Sequence, residues 1–328
     1  MVNVTLKNIL SEYDQKRIRK LLDFEKKEND FYLKHPSFQK IVDNINKTSI
    51  EISKTILVDK NNVSKLQLLN KHLEDLKKEK ANELKNLGIS DNFFVPDFDC
   101  NLCKDTGFLE NNQMCSCLKQ ELLNQEYNKS NISSLKFENF DNFNLNVFSD
   151  EINEEKNNSK ISPRENMKKI KNISLNFIKN FEDPNEKNLL FTGNTGLGKT
   201  YLTNCIANEL LKSGKTVLYQ TAPVLLDSIV DYKFRKNNNF EFNDLLNVDL
   251  LIIDDLGTES MNNLKFSELF NILNTRLLNQ NNHVTKTIIS TNLNLNNLFN
   301  TYDERIFSRI VGYYNICKFF GDDLRFKK

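Results

Sequence analysis

The sequence predicts an α/β fold, a parallel sheet between helices, preceded by a helical region. Three observations carry this. From about residue 187 onward, short apolar runs alternate with amphipathic stretches; a glycine-rich run ending in Gly-Lys-Thr follows the first of them; and a later apolar run ends in two adjacent aspartates. Strands alternating with helical patterns specify a parallel sheet covered on both faces.

Taken in chain order, residues 1–95 read as helical. Leu66, Leu69, Leu73 and Leu76, then Leu84 and Leu87, fall on one helical face, with Gly88 as a C-terminal stop. The opposite face carries Lys71, Glu74, Asp75, Lys77, Lys78 and Glu79. A helix this apolar on one side needs a partner, within a bundle or on another protein. Residues 96–134 form a cysteine-bearing module, and 135–165 reads as a linker on the polar stretch from Ser149 to Glu165. Met167 to Phe181 is helical in spacing and opens the α/β region, 166–328. Its five strands are expected at Leu189–Phe191, Thr216–Tyr219, Leu250–Ile253, Thr287–Ser290 and Ile316–Phe320.

Composition excludes several classes. With 39% hydrophobic and 27% charged residues and a net charge of +1, the chain has no uniform field to draw it to nucleic acid or membrane, so any such contact is local. No run approaches the roughly 18–20 apolar residues of a membrane span, and the N-terminus lacks the apolar segment of a secretory signal. A cytoplasmic protein with no membrane partner is the expectation.

Gly193-Asn194-Thr195-Gly196-Leu197-Gly198-Lys199-Thr200 matches GxxxxGK[ST] at every fixed position, with a strand before it and a helix after it. The glycines let backbone N–H groups turn inward around phosphates, and the helix N-terminus adds its positive end. Lys199 is expected to reach the β and γ phosphates of ATP, and Thr200 to bind Mg²⁺. The run Asp249–Ile253 ends in Asp254, placed to hold Mg²⁺, and Asp255, placed to polarise the attacking water. Alone, such a pair is as easily a cap or turn; beyond a phosphate loop it reads as functional.

Together with Thr287–Asn292 and Glu304–Gly312, these segments make residues 135–328 resemble the AAA+ helicase loaders of bacterial replication, the DnaC/DnaI group, and the related IstB transposition helpers. The resemblance implies an AAA+ P-loop ATPase core. It assigns Asn292 to holding the lytic water, although Asn292 also suits capping of the next helix. Arg309, with Arg305 as the alternate, resembles an arginine finger acting on a neighbouring subunit's ATP, and each can also be a surface ion pair. Arg325 resembles the sensor-2 arginine. Two departures stand out: Asp255 occupies a position where many AAA+ proteins carry Glu, which implies slow hydrolysis, and only eight residues follow Phe320, which implies no C-terminal lid.

Cys100-x2-Cys103 and Cys115-x-Cys117 offer four thiolates in two close pairs. Cys₄ is a common structural zinc design, and clustered thiols in a reducing compartment favour metal over disulfide. An iron–sulfur cluster or unligated thiols remain alternatives. Cys205 and Cys317 read as core. Lys233, Phe234, Arg235 and Lys236 end a helix and combine charge with a ring, as single-stranded DNA requires; a basic helix end also complements the helix dipole. The resemblance implies an ATP-dependent loader of the replicative helicase. Its N-terminal half would grip a DnaB-like hexamer, and its ATPase region would self-associate and bind single-stranded DNA. A transposase helper and a nucleotide-bound adaptor without turnover are the other readings.

Overall fold

The computed structural model describes residues 2–58, 63–126, 138–234, 242–278 and 283–326. The chain divides into two units, one spanning Leu10–Glu110 and the other formed by Met1–Ile9 and Asn111–Lys328.

Three long helices come first: α1 (Val2–Lys34), α2 (Pro36–Val58) and α3 (Val63–Asn86). The leucines expected on one face of α3 are there. Leu76 and Leu84 are buried, Leu66, Leu69, Leu73 and Leu87 half-buried, and the six charged residues of the other face exposed. Gly88 ends the helix with φ +67°. Its N–H bonds the Lys85 carbonyl, and the Ile89 N–H bonds that of Leu84, the paired bonds of a Schellman motif. Ile89 and Leu84 join Phe31, Phe38, Phe93 and Phe94 in a small aromatic core.

The larger unit contains α4 (Ser116–Glu126), α5 (Pro163–Lys179), β1 (Asn188–Thr192), α6 (Lys199–Lys212), β2 (Val217–Thr221), α7 (Ala222–Phe234), α8 (Phe242–Asn247), β3 (Leu250–Leu256), α9 (Asn263–Leu278), β4 (Lys286–Thr291), α10 (Leu295–Thr301), α11 (Glu304–Tyr313) and β5 (Tyr314–Lys318). The strands form one parallel sheet in the order β2-β3-β4-β1-β5. Alternate strand residues feed two cores. Leu190, Leu218, Leu251, Ile253 and Ile289 pack with α7, α9 and α11, while Leu189, Phe191, Leu250, Ile252 and Ile288 pack with α5 and α6. Because the chain leaves β1 toward the β2 side of the sheet and leaves β4 toward the β5 side, a crevice opens at the C-terminal ends of β1 and β4, where such sheets bind ligands.

Two expectations are corrected. Part of the stretch read as a linker is packed: among its described residues Phe143 and Phe148 are buried in the second core, while 150–156 are exposed. Its last residues start α5, because the Ser162 hydroxyl accepts the Glu165 N–H and Pro163 occupies the first turn. The last strand lies two residues earlier than its apolar run, since α11 passes into β5 without a loop and the buried Tyr314 takes the first strand position. The edge strand β2 is partly closed by α4: Gln120 Oε1 accepts the Val217 N–H (2.7 Å) and Gln120 Nε2 donates to the Val217 carbonyl (2.9 Å).

Arg276 of α9 pins the start of the sheet. It is 1% exposed, and it donates to the carbonyls of Leu245 (2.7 Å), Lys286 (2.8 Å) and Asp249 (3.3 Å) and to Thr287 Oγ1 (3.1 Å). Arg276→Met keeps a long side chain but orphans buried acceptors, each worth about 1–3 kcal/mol. The melting temperature followed by circular dichroism is expected to fall by several degrees; an unchanged transition contradicts this role for Arg276.

Candidate nucleotide-binding site

The phosphate loop runs from the end of β1 to the start of α6, and its shape depends on glycine. Gly193 has φ +146° and Gly196 φ +74°, both in the region that L side chains rarely adopt. A Cβ on Gly193 would meet the Phe319 carbonyl oxygen at 2.3 Å, and one on Gly196 would meet Asp323 Oδ1 at 1.9 Å. The loop is held by the Gly193 N–H on the Thr291 carbonyl (3.3 Å) and the Leu324 N–H on the Gly196 carbonyl (2.9 Å). Leu197 is a buried anchor, whereas Asn194, Thr195 and Thr200 are at least partly open to solvent.

Lys199 is 6% exposed, and its ammonium donates to the carbonyls of Gly193 (2.6 Å) and Asn194 (2.7 Å) and to Asn292 Oδ1 (2.7 Å). Burial pulls its pKa down, Asp255 and Asp254 oppose this, and the nearby Arg325 charge lowers it further. Asp254 is buried at the end of β3, 3.3 Å from Thr200 Oγ1. Its two oxygens also accept the hydroxyls of Ser290 and Tyr219.

Asp255 adopts φ +55° at a break in the β3–β4 register between Ile253 and Leu256. A bulge of this kind re-aims side chains at the strand end. Here it keeps two consecutive carboxylates from pointing to opposite faces of the sheet, so both act on Lys199. Burial and the neighbouring Asp254 charge push the Asp255 carboxyl above the ordinary aspartate range, with Lys199 and an Asn292 hydrogen bond opposing. A carboxylate with raised pKa is a better proton acceptor. Lys199, Thr200, Asp254, Asp255 and Asn292 are thus brought together, and the set of one ammonium, one hydroxyl and two carboxylates fits a Mg²⁺-bound triphosphate.

Beside the loop lies a cavity of about 310 Å³ lined by Asn142, Phe143, Asn144, Val147, Phe148, Gly196, Gly198, Tyr201, Leu324 and Arg325. Its size and its apolar walls suit a nucleobase. Sequence reasoning missed this wall, whose signal was the run of phenylalanines at Phe137, Phe140, Phe143 and Phe148 with Leu145 and Val147 among them. It also missed Tyr219 and Ser290, whose strand positions look like ordinary core. A larger cavity of about 450 Å³, among Lys119, Leu123, Thr216, Asp249 and His283, opens at the opposite end of the sheet, away from the phosphate loop.

The arginines divide. Arg325 lines the base-sized cavity and bonds Asp323 through Nε (3.0 Å) and Nη2 (2.5 Å). Arg305 and Arg309 flank Phe270 of α9. Arg305 is bonded to the carboxylate of Asp303 and Arg309 to the amide of Asn274 (2.9 Å), so these partners lie at the start of α11 and on α9, and not on the phosphate loop. Of the residues proposed to meet DNA, Lys233 is ion-paired with the buried Glu268 and Phe234 is 75% exposed; Arg235 and Lys236 lie outside the described residues.

Away from the loop, the sulfurs of Cys100, Cys103, Cys115 and Cys117 all lie within 4.8 Å of one another. Tetrahedral zinc at about 2.3 Å places its sulfurs about 3.8 Å apart, close to this spacing. Around the first pair, Lys104 and Asp105 adopt φ +52° and +58°, and the Gly107 N–H points at Cys103 Sγ (3.4 Å). The buried Asp105 carboxylate accepts the N–H groups of Asp99 (3.0 Å) and Cys100 (2.7 Å), a brace with no signal in the residue pattern. Cys205 and Cys317 are buried in the core, and burial raises each thiol to about 12. Among the described residues no helix is long and apolar enough to cross a membrane.

Gly196→Ala introduces both backbone strain and the collision with Asp323. A fluorescent ATP analogue is expected to bind at least about tenfold more weakly, equivalent to about 1.4 kcal/mol, with the circular dichroism spectrum unchanged. Wild-type affinity contradicts the described loop.

Comparison with known proteins agrees with this geometry. The family described as "IstB-like ATP binding protein" matches residues 141–327. The replicative helicase loader DnaC of Escherichia coli (strain K12) is 33% identical over 131 residues, 39% of this chain and 51% of that protein. DnaC of Buchnera aphidicola subsp. Baizongia pistaciae is 37% identical over 99 residues, 29% of this chain and 39% of that protein. The chain therefore spans about half or less of the length of the curated relatives it matches. The crystal structure of DnaI is similar over 51% of this chain and 86% of that one, at 27% identity and a TM-score of 0.42. The family match covers more than half of the chain, which belongs to the IstB-like ATP-binding proteins.

Proposed function

We propose that the protein is an ATP-dependent loader of a ring-shaped replicative DNA helicase, acting when replication initiates or restarts. The observation that supports this best is the likeness to DnaC over 131 residues, joined to a loop whose Lys199, Thr200, Asp254 and Asp255 are arranged for a Mg²⁺-bound triphosphate. In this reading, Lys199 exchanges its backbone and Asn292 acceptors for β and γ phosphate oxygens. Thr200 and Asp254 hold Mg²⁺, which supplies charge neutralisation at the phosphates. Asp255 accepts a proton from the attacking water, and Asn292 holds that water in place. The short side chain of Asp255, where many AAA+ proteins carry Glu, favours modest turnover.

Arg309 is the better candidate for reaching a neighbouring subunit's nucleotide. It rests on a neutral amide, whereas Arg305 is already neutralised by Asp303. An arginine supplied in trans is worth about 10³–10⁵ in rate in other nucleotidases, and this would tie turnover to self-association. Arg325 would answer the same nucleotide from within its own chain. Contact with single-stranded DNA near Lys233 and Phe234 belongs to this reading, as does a cytoplasmic location. The helices of the first hundred residues, with exposed Leu57, Val58, Val63 and Leu68, offer the apolar surface a protein partner needs.

The test is sizing-column co-elution of the full chain with the host's hexameric helicase, with and without ATP and Mg²⁺. A stable complex is expected; no association in either condition sinks the loader reading and turns attention to transposases as partners. For the cysteine cluster, the purified protein is expected to carry about one zinc ion per chain by elemental analysis. Cys103→Ser is expected to lose that ion and lower the melting temperature. Iron with a visible absorption band, or no metal at all, rejects zinc.

A further inference from the structure

Asp254 is gripped from both sides by hydroxyls that no phosphate-loop motif specifies. Tyr219 lies on β2 and Ser290 on β4, the two strands that flank β3. Tyr219 pairs in register with Ile252, two residues before Asp254, so its side chain shares the face of the sheet toward which Asp254 points. From there the ring runs forward and its hydroxyl donates to Asp254 Oδ2, while the Ser290 hydroxyl donates to Oδ1. Thr200 Oγ1 approaches the same Oδ2 at 3.3 Å. The Tyr219 ring is 5% exposed, which keeps the phenol in one place.

The geometry points to Tyr219 as a positioning residue for the divalent cation, acting through Asp254. This rests on the proposed reading that Asp254 and Thr200 hold Mg²⁺. A carboxylate at a strand end has two soft side-chain torsions, and a metal requires its oxygen at a fixed place. Two hydroxyl donors, one on each oxygen and each carried by a different strand, fix both torsions together with the Asp255 N–H on Oδ1 (3.2 Å), and leave the Thr200 side of the carboxylate for the ion. The phenol is suited to this task because its reach spans the diagonal between strands, which a serine at the same position does not. Hydrogen-bonding partners of metal ligands typically account for about 10–100-fold in metal affinity. Tyr219 makes no part of the phosphate loop, so its effect is confined to the metal-bound nucleotide.

Tyr219→Phe in the full chain removes the hydroxyl and keeps the ring. Binding of a fluorescent, non-hydrolysable ATP analogue is measured as Mg²⁺ is titrated, beside metal-free binding and a thermal melt. The half-saturating Mg²⁺ concentration is expected to rise about tenfold or more, with metal-free nucleotide affinity unchanged. Ser290→Ala, which removes the hydroxyl donor on the other oxygen, is expected to move the Mg²⁺ requirement the same way. An unchanged Mg²⁺ requirement in Tyr219→Phe overturns the inference, as does equal weakening with and without Mg²⁺, which marks a packing role. Asp254→Asn separates the role of Tyr219 from that of the carboxylate. If it abolishes Mg²⁺ dependence while Tyr219→Phe does nothing, only the role of Tyr219 fails. If wild-type binding shows no Mg²⁺ dependence, the Asp254 reading fails and takes Tyr219 with it.

Discussion

Lys199 is a cation almost closed off from water, and such a charge is tolerated only where acceptors surround it. Two of those acceptors are backbone carbonyls of its own loop and a third is the Asn292 amide at the end of β4. This arrangement ties the loop to the sheet. The carbonyls turn toward the ammonium only because Gly193 and Gly196 accept positive φ, and Asn292 is in reach only because β1 and β4 are neighbours. The two aspartates of β3 add the negative field that offsets burial of the ammonium. The strand order, the glycines and the carboxylates thus answer one requirement, a buried charge held ready for an anion.

The carboxylates need their own support, because two adjacent acids in a regular strand point to opposite faces. The break in the β3–β4 ladder solves this by placing Asp255 at φ +55°, with its N–H on Ser290 Oγ (3.1 Å). Ser290 therefore serves both acids, as donor to Asp254 and acceptor from Asp255. The turn that follows is equally braced: Glu259 accepts the Gly257 N–H (2.8 Å) and the Tyr302 hydroxyl, linking the end of β3 to the residue just before Asp303 and α11. Arg305 and Arg309 on that helix are thereby connected to the site in their own chain through a few hydrogen-bonded residues.

Most of the sheet was legible because its signals are local. Continuous apolar runs such as Leu250–Ile253 mark buried parallel strands, and the glycine–lysine–threonine motif specifies its own turn. Gly88 ends α3 as the pattern predicts, since the Schellman motif it makes with Lys85, Leu84 and Ile89 is local to the helix end. What escaped was set by distant chain. Phe143 and Phe148 look like stray aromatics in a polar stretch until β1 and α6 provide the core they enter. Tyr219 is indistinguishable from a core aromatic until the register of β2 on β3 brings its hydroxyl to Asp254. The start of α5 was the exception, a local signal overlooked: Ser162, Pro163 and Glu165 spell a capped N-terminus inside a segment that its polarity alone made look unstructured.

The same distance in sequence gives the nucleotide site its boundary. One wall of the base-sized cavity comes from residues just before α5 and the other from the segment after β5, about 180 residues later, and both touch the phosphate loop. Asp323 is packed on Gly196 and holds Arg325, whose charge already reaches Lys199. A carboxylate placed against a phosphate loop opposes an incoming anion, while the arginine it holds attracts one. The segment after β5 is therefore not a passive end to the sheet. It carries an opposed pair of charges, Asp323 and Arg325, packed at the loop.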